Sequence, residues 1–299
     1  MEKIEAAVRH CYSTWGESYY DDYYSNKATY PPVHRAIIRR ELEAHGAGSL
    51  LDAGCGPASI LRHLIDLDLE LFGFDLTPEM IAECKKVMVN LGVAESNFWE
   101  GSVTNLNDFQ GAPDAPKKFD ASICLGVLPH IPAEHDETVF KNIRASVRNG
   151  ALAIVQARNE LFSLFTLNRY SSDFFETRLL RKSELEAEIG MEPTLKILNV
   201  MKERFRMDLP PIRKGKNDEP GYDEVLSRTH NPFEVREQFT KAGFRNVQTM
   251  FCHYHALPPM LEQSAPEAFK KLSLAMESNP TDWRGHFMAS EFLITGIAE

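Results

Sequence analysis

The run Leu50-Leu51-Asp52-Ala53-Gly54-Cys55-Gly56-Pro57-Ala58-Ser59 carries the sharpest chemical signal in the chain. A short apolar strand enters a glycine-rich turn, and the pattern after the turn, ILRHLIDLDL, predicts a helix. Gly54 and Gly56 let the backbone bend tightly and approach a ligand with no Cβ between them. A helix opening at that point would aim free N–H groups at the ligand. A second strand, LFGFD, ends in Asp75, nineteen residues after Gly56. A carboxylate at that remove can accept two hydrogen bonds from a ribose. The glycines and the acid together point to an adenosine-bearing ligand at the C-terminal ends of the strands. A dinucleotide fingerprint requires a further glycine at position 59, and Ser59 stands there instead. A nicotinamide-dependent oxidoreductase is therefore the weaker alternative.

Three histidines could move a proton near neutral pH. His130 follows a predicted strand on the ligand-bearing edge, and His253 and His255 flank Tyr254 in a late strand. Strand alternation predicts that His253 and His255 share one face. Two histidines at that spacing raise metal ligation, but beyond Cys252 no neighbouring acid or thiol completes a set, so no metal site is expected. The five cysteines are scattered with no C-x-x-C pair, which predicts reduced thiols in a cytoplasmic protein.

The elements that must hold these groups alternate strand and helix across 49–157: SLLDAG, LFGFD, NFWEGS, FDASICLGV and ALAIVQAR are the strands. PEMIAECKKVMVNLG and HDETVFKNIRASVRNG are helices, the second closed by Asn149-Gly150. Two late strands, VQTMFCHYHAL and FMASEFLITGIAE, bring the sheet to seven and predict an antiparallel edge across a short connection. The fold class is α/β, a doubly wound, mostly parallel seven-stranded sheet. Residues 1–45 form a helical cap rich in tyrosine, 46–157 the binding core, 158–231 an insertion read as a lid, and 232–299 the completion of the sheet. In the cap, Trp15, Tyr19, Tyr20, Tyr23 and Tyr24 predict a cover over a ligand. In the insertion, Arg158, Asn159, Asn168, Arg169 and Tyr170 stand among Phe162, Phe165, Phe174 and Phe175, the mixture a small-molecule pocket needs. Its turn-rich segment at 209–221 is expected to be a mobile loop.

Composition narrows the function further. With 33 Lys plus Arg against 43 Asp plus Glu, the formal charge is −10, which argues against a nucleic-acid partner. Arg204, Arg206, Arg213, Lys214 and Lys216 could form a local basic patch, though a solvated loop is the simpler reading. No apolar run approaches the roughly 20 residues of a membrane span. The first residues, MEKIEAAVRHCYS, have no apolar signal core, and a cytoplasmic protein without a membrane partner is expected. A homodimer is compatible with the sequence.

Leu51-Asp52-Ala53-Gly54-Cys55-Gly56 resembles the first motif of class I S-adenosylmethionine (SAM)-dependent methyltransferases, and Gly73-Phe74-Asp75 resembles their second. Trp99-Glu100-Gly101-Ser102 sits where their third strand ends, Phe119 to Ile131 resembles their fourth strand and its loop, and Asn149-Gly150-Ala151-Leu152 the turn into the fifth. The usual third glycine of the first motif is Ala58 here, and the acid often found after Gly101 is Ser102. The resemblance implies the Rossmann-like methyltransferase fold and SAM as cofactor. It implies that the carbonyls of Gly54 and Leu125, with Asp52 nearby, receive the methionine ammonium. Asp75 would hold the ribose, Leu76, Ser102 and Val103 would flank the adenine, and Cys55 and Gly56 would line the turn. Tyr19 or Tyr20 would reach the cofactor carboxylate.

Methyl transfer from a sulfonium needs an aligned acceptor, exclusion of water and a base where the acceptor is a hydroxyl. His130, His253 and His255 are the candidates for that base. The expected activity is methylation of an oxygen or nitrogen of a small molecule. A weak likeness of 158–180 to bacterial methyltransferases of sugar and natural-product pathways favours an acceptor of that kind. A non-catalytic SAM-binding protein on the same fold is the alternative. Replacing Asp75 by Ala should weaken S-adenosylhomocysteine binding at least about tenfold in calorimetry; unchanged affinity would remove the ribose role.

Overall fold

The computed structural model describes residues 1–15, 18–25, 31–208 and 225–299. The segment 209–221, with Arg213, Lys214 and Lys216, and Tyr30 of the cap lie outside the described residues.

Strand β1 (Ser49–Ala53) is buried along its whole length, as expected of a strand covered by helices on both faces. It pairs in parallel with β2 (Glu70–Asp75) and with β4 (Phe119–Cys124). β3 (Phe98–Glu100) lies outside β2, and β5 (Val147–Arg158) lies beside β4. With β6 (Phe244–Tyr254) and β7 (Ala289–Ala298) the sheet has seven strands in the order β3-β2-β1-β4-β5-β7-β6. The seven-stranded, mostly parallel α/β sheet read from the sequence is thus present.

The two halves of the core follow from strand alternation. Leu51, Ala53, Phe72 and Phe74 join Val139, Phe140 and Ile143 of α5 (Asp136–Ser146) and Val235 and Phe239 of α10 (Pro232–Lys241) on one face. Leu50, Leu71, Ile123 and Ile154 meet Ile37, Ile38 and Leu42 of α3 (His34–His45) and Ile81, Cys84 and Met88 of α4 (Pro78–Asn90) on the other. The cap begins with α1 (Glu2–Ser13) and α2 (Tyr19–Tyr23); Cys11 and Trp15 pack on Met80 of α4 and on Val225. The insertion carries the short α6 (Ser163–Thr166) and α7 (Arg169–Phe174), then α8 (Lys182–Ile189) and α9 (Met191–Lys202). Between β6 and β7 come α11 (Pro266–Met276) and α12 (Gly285–Met288).

Three sequence expectations are corrected. The helix expected after the glycine turn is only one 3₁₀ turn, Leu61–His63. Ile60, Leu61 and Leu64 are buried as an amphipathic helix would bury them. The backbone closes short turns instead, His63 N–H to the Ile60 carbonyl, Leu64 N–H to Leu61 and Leu67 N–H to Leu64, and Arg39 adds bonds to the His63 carbonyl at 3.2 Å and, twice at 2.7 Å, to the Asp66 carboxylate. The helix read through Asn149-Gly150 ends at Ser146, and these two residues belong to β5. The antiparallel strand is not at the edge. β7 runs antiparallel between β5 and β6, and its connection to β6 holds α11 and α12. Among the described residues no helix is long and apolar enough to cross a membrane.

An inner β7 makes a stability prediction. Phe292 is fully buried between Ala157 of β5 and Phe251 of β6. Phe292→Ala should lower the unfolding free energy by ~3–5 kcal/mol in urea titration. A loss below ~1 kcal/mol would be incompatible with that position.

Candidate functional site

The C-terminal ends of β1, β2 and β4 open into a crevice. Its floor is the glycine turn. The N–H groups of Gly54 and Cys55 donate to the Phe74 carbonyl at 2.8 and 3.0 Å, which locks the turn onto β2. Gly54 has φ 92°, and a Cβ there would lie 2.3 Å from Cγ2 of Val127, so only glycine fits. Cys55 turns its thiol to Cys84, 3.9 Å away. The five cysteines are buried, and none forms a disulfide with another.

Two carboxylates meet at this floor. Asp75 accepts from the Thr77 N–H at 2.8 Å through Oδ1 and from the Gly56 N–H at 2.9 Å through Oδ2. Burial pushes its carboxyl up, and these backbone bonds pull it down by less. The Gly56 N–H, expected at a helix N-terminus, serves Asp75 instead. Asp52 is 2% exposed, and its Oδ1 has no hydrogen-bond partner among the described residues. Burial raises the Asp52 carboxyl well above the ordinary carboxylate range, and the charge of Asp75 raises it further. An unpartnered buried carboxylate is costly. A ligand bringing an ammonium group to Asp52 would relieve that cost, and one bringing hydroxyls could use the remaining acceptor capacity of Asp75.

Leu76, Ser102, Val103 and Leu125 line the walls, as does Tyr19. Ser102 donates its N–H to Asp108 at 2.8 Å and its hydroxyl to Glu5 of α1 at 2.7 Å. Glu5 thereby puts a carboxylate at the position where the sequence offered only Ser102. Sequence reading missed Glu5, because it is brought in from α1, ninety-seven positions away. Tyr20 does not line the crevice. Its hydroxyl meets His63 at 2.9 Å and Arg62 stacks on its ring at 3.8 Å; Tyr24 takes a place in the wall instead.

His130 lies in the wall of the crevice with both ring nitrogens engaged. Nδ1 is 2.7 Å from the carbonyl of Leu226, which can only accept, so Nδ1 carries the proton. Nε2 is then an acceptor and takes the Tyr12 hydroxyl at 2.9 Å. Burial lowers the His130 pKa to about 4, so the ring is neutral at ordinary pH. The segment that holds Nδ1 is itself tied down. Arg228 donates its backbone N–H to the Pro129 carbonyl at 2.9 Å and its Nε to the Ile131 carbonyl at 2.6 Å, and it pairs with Asp136. No motif marks Leu226 or Arg228 in the sequence.

The late histidines part company. His253 has φ 57°, which ends the strand alternation. Its Nε2 lies 3.4 Å from Nδ1 of His34 and 3.6 Å from Oε2 of Glu291. His255 donates its backbone N–H to Met288 and packs its ring on Phe162 at 4.8 Å and Phe269 at 5.5 Å. Neither lines the crevice. Of the three histidines, only His130 reaches the site.

The polar groups of the insertion are also spent on structure. Asn159 donates to the carbonyls of Gly285, His286 and Ala289, and Asn168 caps α7 through the Tyr170 N–H. Among the described residues none of 158–208 lines the crevice, whereas Glu5, Val8, Tyr12, Tyr19 and Tyr24 of the cap do.

Comparison with known proteins agrees with this geometry. Residues 50–150 match a family described as a methyltransferase domain. The chain is similar to magnesium protoporphyrin IX methyltransferase from Synechocystis PCC 6803 with bound SAM, at 12% identity over 99% of this chain and 97% of that one, with a TM-score of 0.52. It is similar to a SAM-dependent methyltransferase from Clostridium acetobutylicum ATCC 824, at 11% identity over 93% and 96% of the two chains, with a TM-score of 0.54. These likenesses are of fold. No curated protein matches the chain in sequence.

The hydrogen bonds of His130 make a direct prediction. Its imidazole should appear in nitrogen-edited NMR as the Nδ1-protonated tautomer and should titrate near pH 4. A titration near the ordinary 6.5, or the other tautomer, would break this description of the ring.

Proposed function

We infer that this enzyme, a class I SAM-dependent methyltransferase by its domain at 50–150 and its seven-stranded sheet, methylates an oxygen or nitrogen of a small molecule held under the N-terminal cap. The observation that carries the reading is the shared crevice: Asp52, whose Oδ1 has no partner among the described residues, Asp75, and His130, whose Nε2 is an acceptor, all line it. Bound there, SAM supplies an electrophilic methyl on a positively charged sulfur. The residues present fit such a guest. Asp52 would meet the ammonium, Asp75 the ribose hydroxyls, and Leu76, Val103, Ser102 and Glu5 would surround the adenine.

The chain's own groups then have distinct tasks. Tyr12, Tyr19 and Tyr24 close the crevice from the cap side and keep water from it. Leu226 fixes the proton of His130 on Nδ1, which leaves Nε2 to accept a proton from the acceptor. An acceptor hydroxyl or amine would take the place that the Tyr12 hydroxyl holds at Nε2. The acceptor is read as a sugar-type or secondary-metabolite intermediate. The depressed pKa keeps the ring unprotonated and ready, at the cost of a weaker base.

Against a panel of small hydroxyl- and amine-bearing acceptors, His130→Ala should cut kcat by about 10²–10⁴-fold. Its S-adenosylhomocysteine affinity should stay unchanged in calorimetry. In the unaltered enzyme the acidic limb of kcat/KM should persist through pH 6.5 and fall towards about 4, because the base is active only when unprotonated. Full activity of His130→Ala at saturating acceptor would remove the base role. Tight cofactor binding with no turnover across the panel would favour a binding protein over an enzyme of this class of acceptor.

A further inference from the structure

We propose that His34, His253 and Glu291 form a binding site for one divalent transition-metal ion of the zinc type. Nδ1 of His34, Nε2 of His253 and a carboxylate oxygen of Glu291 lie within 4.8 Å of one another. Two of the separations are 3.4 Å and 3.6 Å. A tetrahedral ion with ligand bonds of about 2.0–2.1 Å sets its ligand atoms about 3.3–3.4 Å apart, so these separations are nearly those of an ion's coordination shell. Two imidazoles and one carboxylate are also a donor set that such an ion takes while keeping a position open.

Nε2 of His253 meets Nδ1 of His34 on one side and the Glu291 carboxylate on the other, and 3.6 Å to the carboxylate is longer than a hydrogen bond. Each of the three groups can offer a lone pair to an ion. The surroundings are built for orientation as well. Gln156 on β5 donates its Nε2–H to Oε2 of Glu291, the outer contact that steadies a ligating carboxylate. His253 is held in the left-handed region at φ 57°, an uncommon conformation for a histidine and one that interrupts the strand.

The ligands come from three distant segments: the first residue of α3, the end of β6 and the start of β7. An ion there would clip the cap to the last two strands. It would also sit close behind the crevice, since the ring of Tyr24, which lines the crevice, packs edge-on against His34 at 5.4 Å. His253 and His255 suggested a metal pair in sequence, but the partners that complete the set lie 219 positions before His253 and in the following strand.

The site stands independently of the methyl-transfer reading, and so does its test. Untagged full-length protein, stripped with chelator, is titrated with Co²⁺ and then Zn²⁺, followed by calorimetry and by the visible absorption of Co²⁺. The expected result is one ion per chain, an intense tetrahedral Co²⁺ spectrum, and displacement by Zn²⁺. Glu291→Gln and His253→Gln should each weaken binding at least about tenfold, whereas His10→Gln, an exposed histidine on α1, should not. Thermal unfolding and far-UV circular dichroism of the variants establish that they are folded. No saturable binding by the unaltered protein, or equal binding by folded Glu291→Gln and His253→Gln, would overturn the proposal.

Discussion

Two carboxylates held out of water at neighbouring strand ends are the constraint around which the molecule is arranged. Asp52 and Asp75 sit on β1 and β2, whose parallel register sets Asp52 opposite Gly73. Asp52 is buried and Asp75 half-buried, and each is pushed towards its neutral form, Asp52 partly by Asp75 itself. Asp75 is offset by two backbone N–H bonds. Asp52 has one oxygen with no such relief among the described residues. A fold that sought stability alone would place an amide or an apolar residue there. Keeping the acid makes the crevice complementary to a cation that also carries hydroxyls.

The rest of the site is assembled from remote pieces of chain around that floor. The cap contributes Glu5 at one end and Tyr12, Tyr19 and Tyr24 along the wall. The end of the insertion supplies the carbonyl that selects the tautomer of His130. The strand ends therefore carry the two acids of the crevice, while segments before and after the core line its wall and hold the ring of His130. This division is what allows one sheet to serve different acceptors.

What the sequence made legible was local. The glycine turn, the acid nineteen residues beyond it and the burial of β1 and β2 all follow from short-range pattern, and the structure places them together. What it hid was tertiary. The segment after Gly56 has helical periodicity, but its backbone closes successive short turns, with Arg39 bonded to one of their carbonyls. The order of the last strands depends on β7 slipping between β5 and β6, which their own sequences do not encode. The left-handed backbone at His253 has no local signal in the strand pattern around it. Tyr19 and Tyr20 were indistinguishable as neighbours, and the cation over Tyr20 decides which of them leaves the crevice. Glu5, Leu226 and the meeting of His34 with Glu291 have no sequence signature, because their partners lie across the fold.

A crystal structure grown with S-adenosylhomocysteine tests the central claim most directly. The account predicts the ammonium within hydrogen-bond reach of Asp52, the ribose hydroxyls on Asp75, and the sulfur turned towards the space that His130 faces. The nucleoside found elsewhere on the protein, or seated in the crevice with Asp52 still unpartnered, would contradict it.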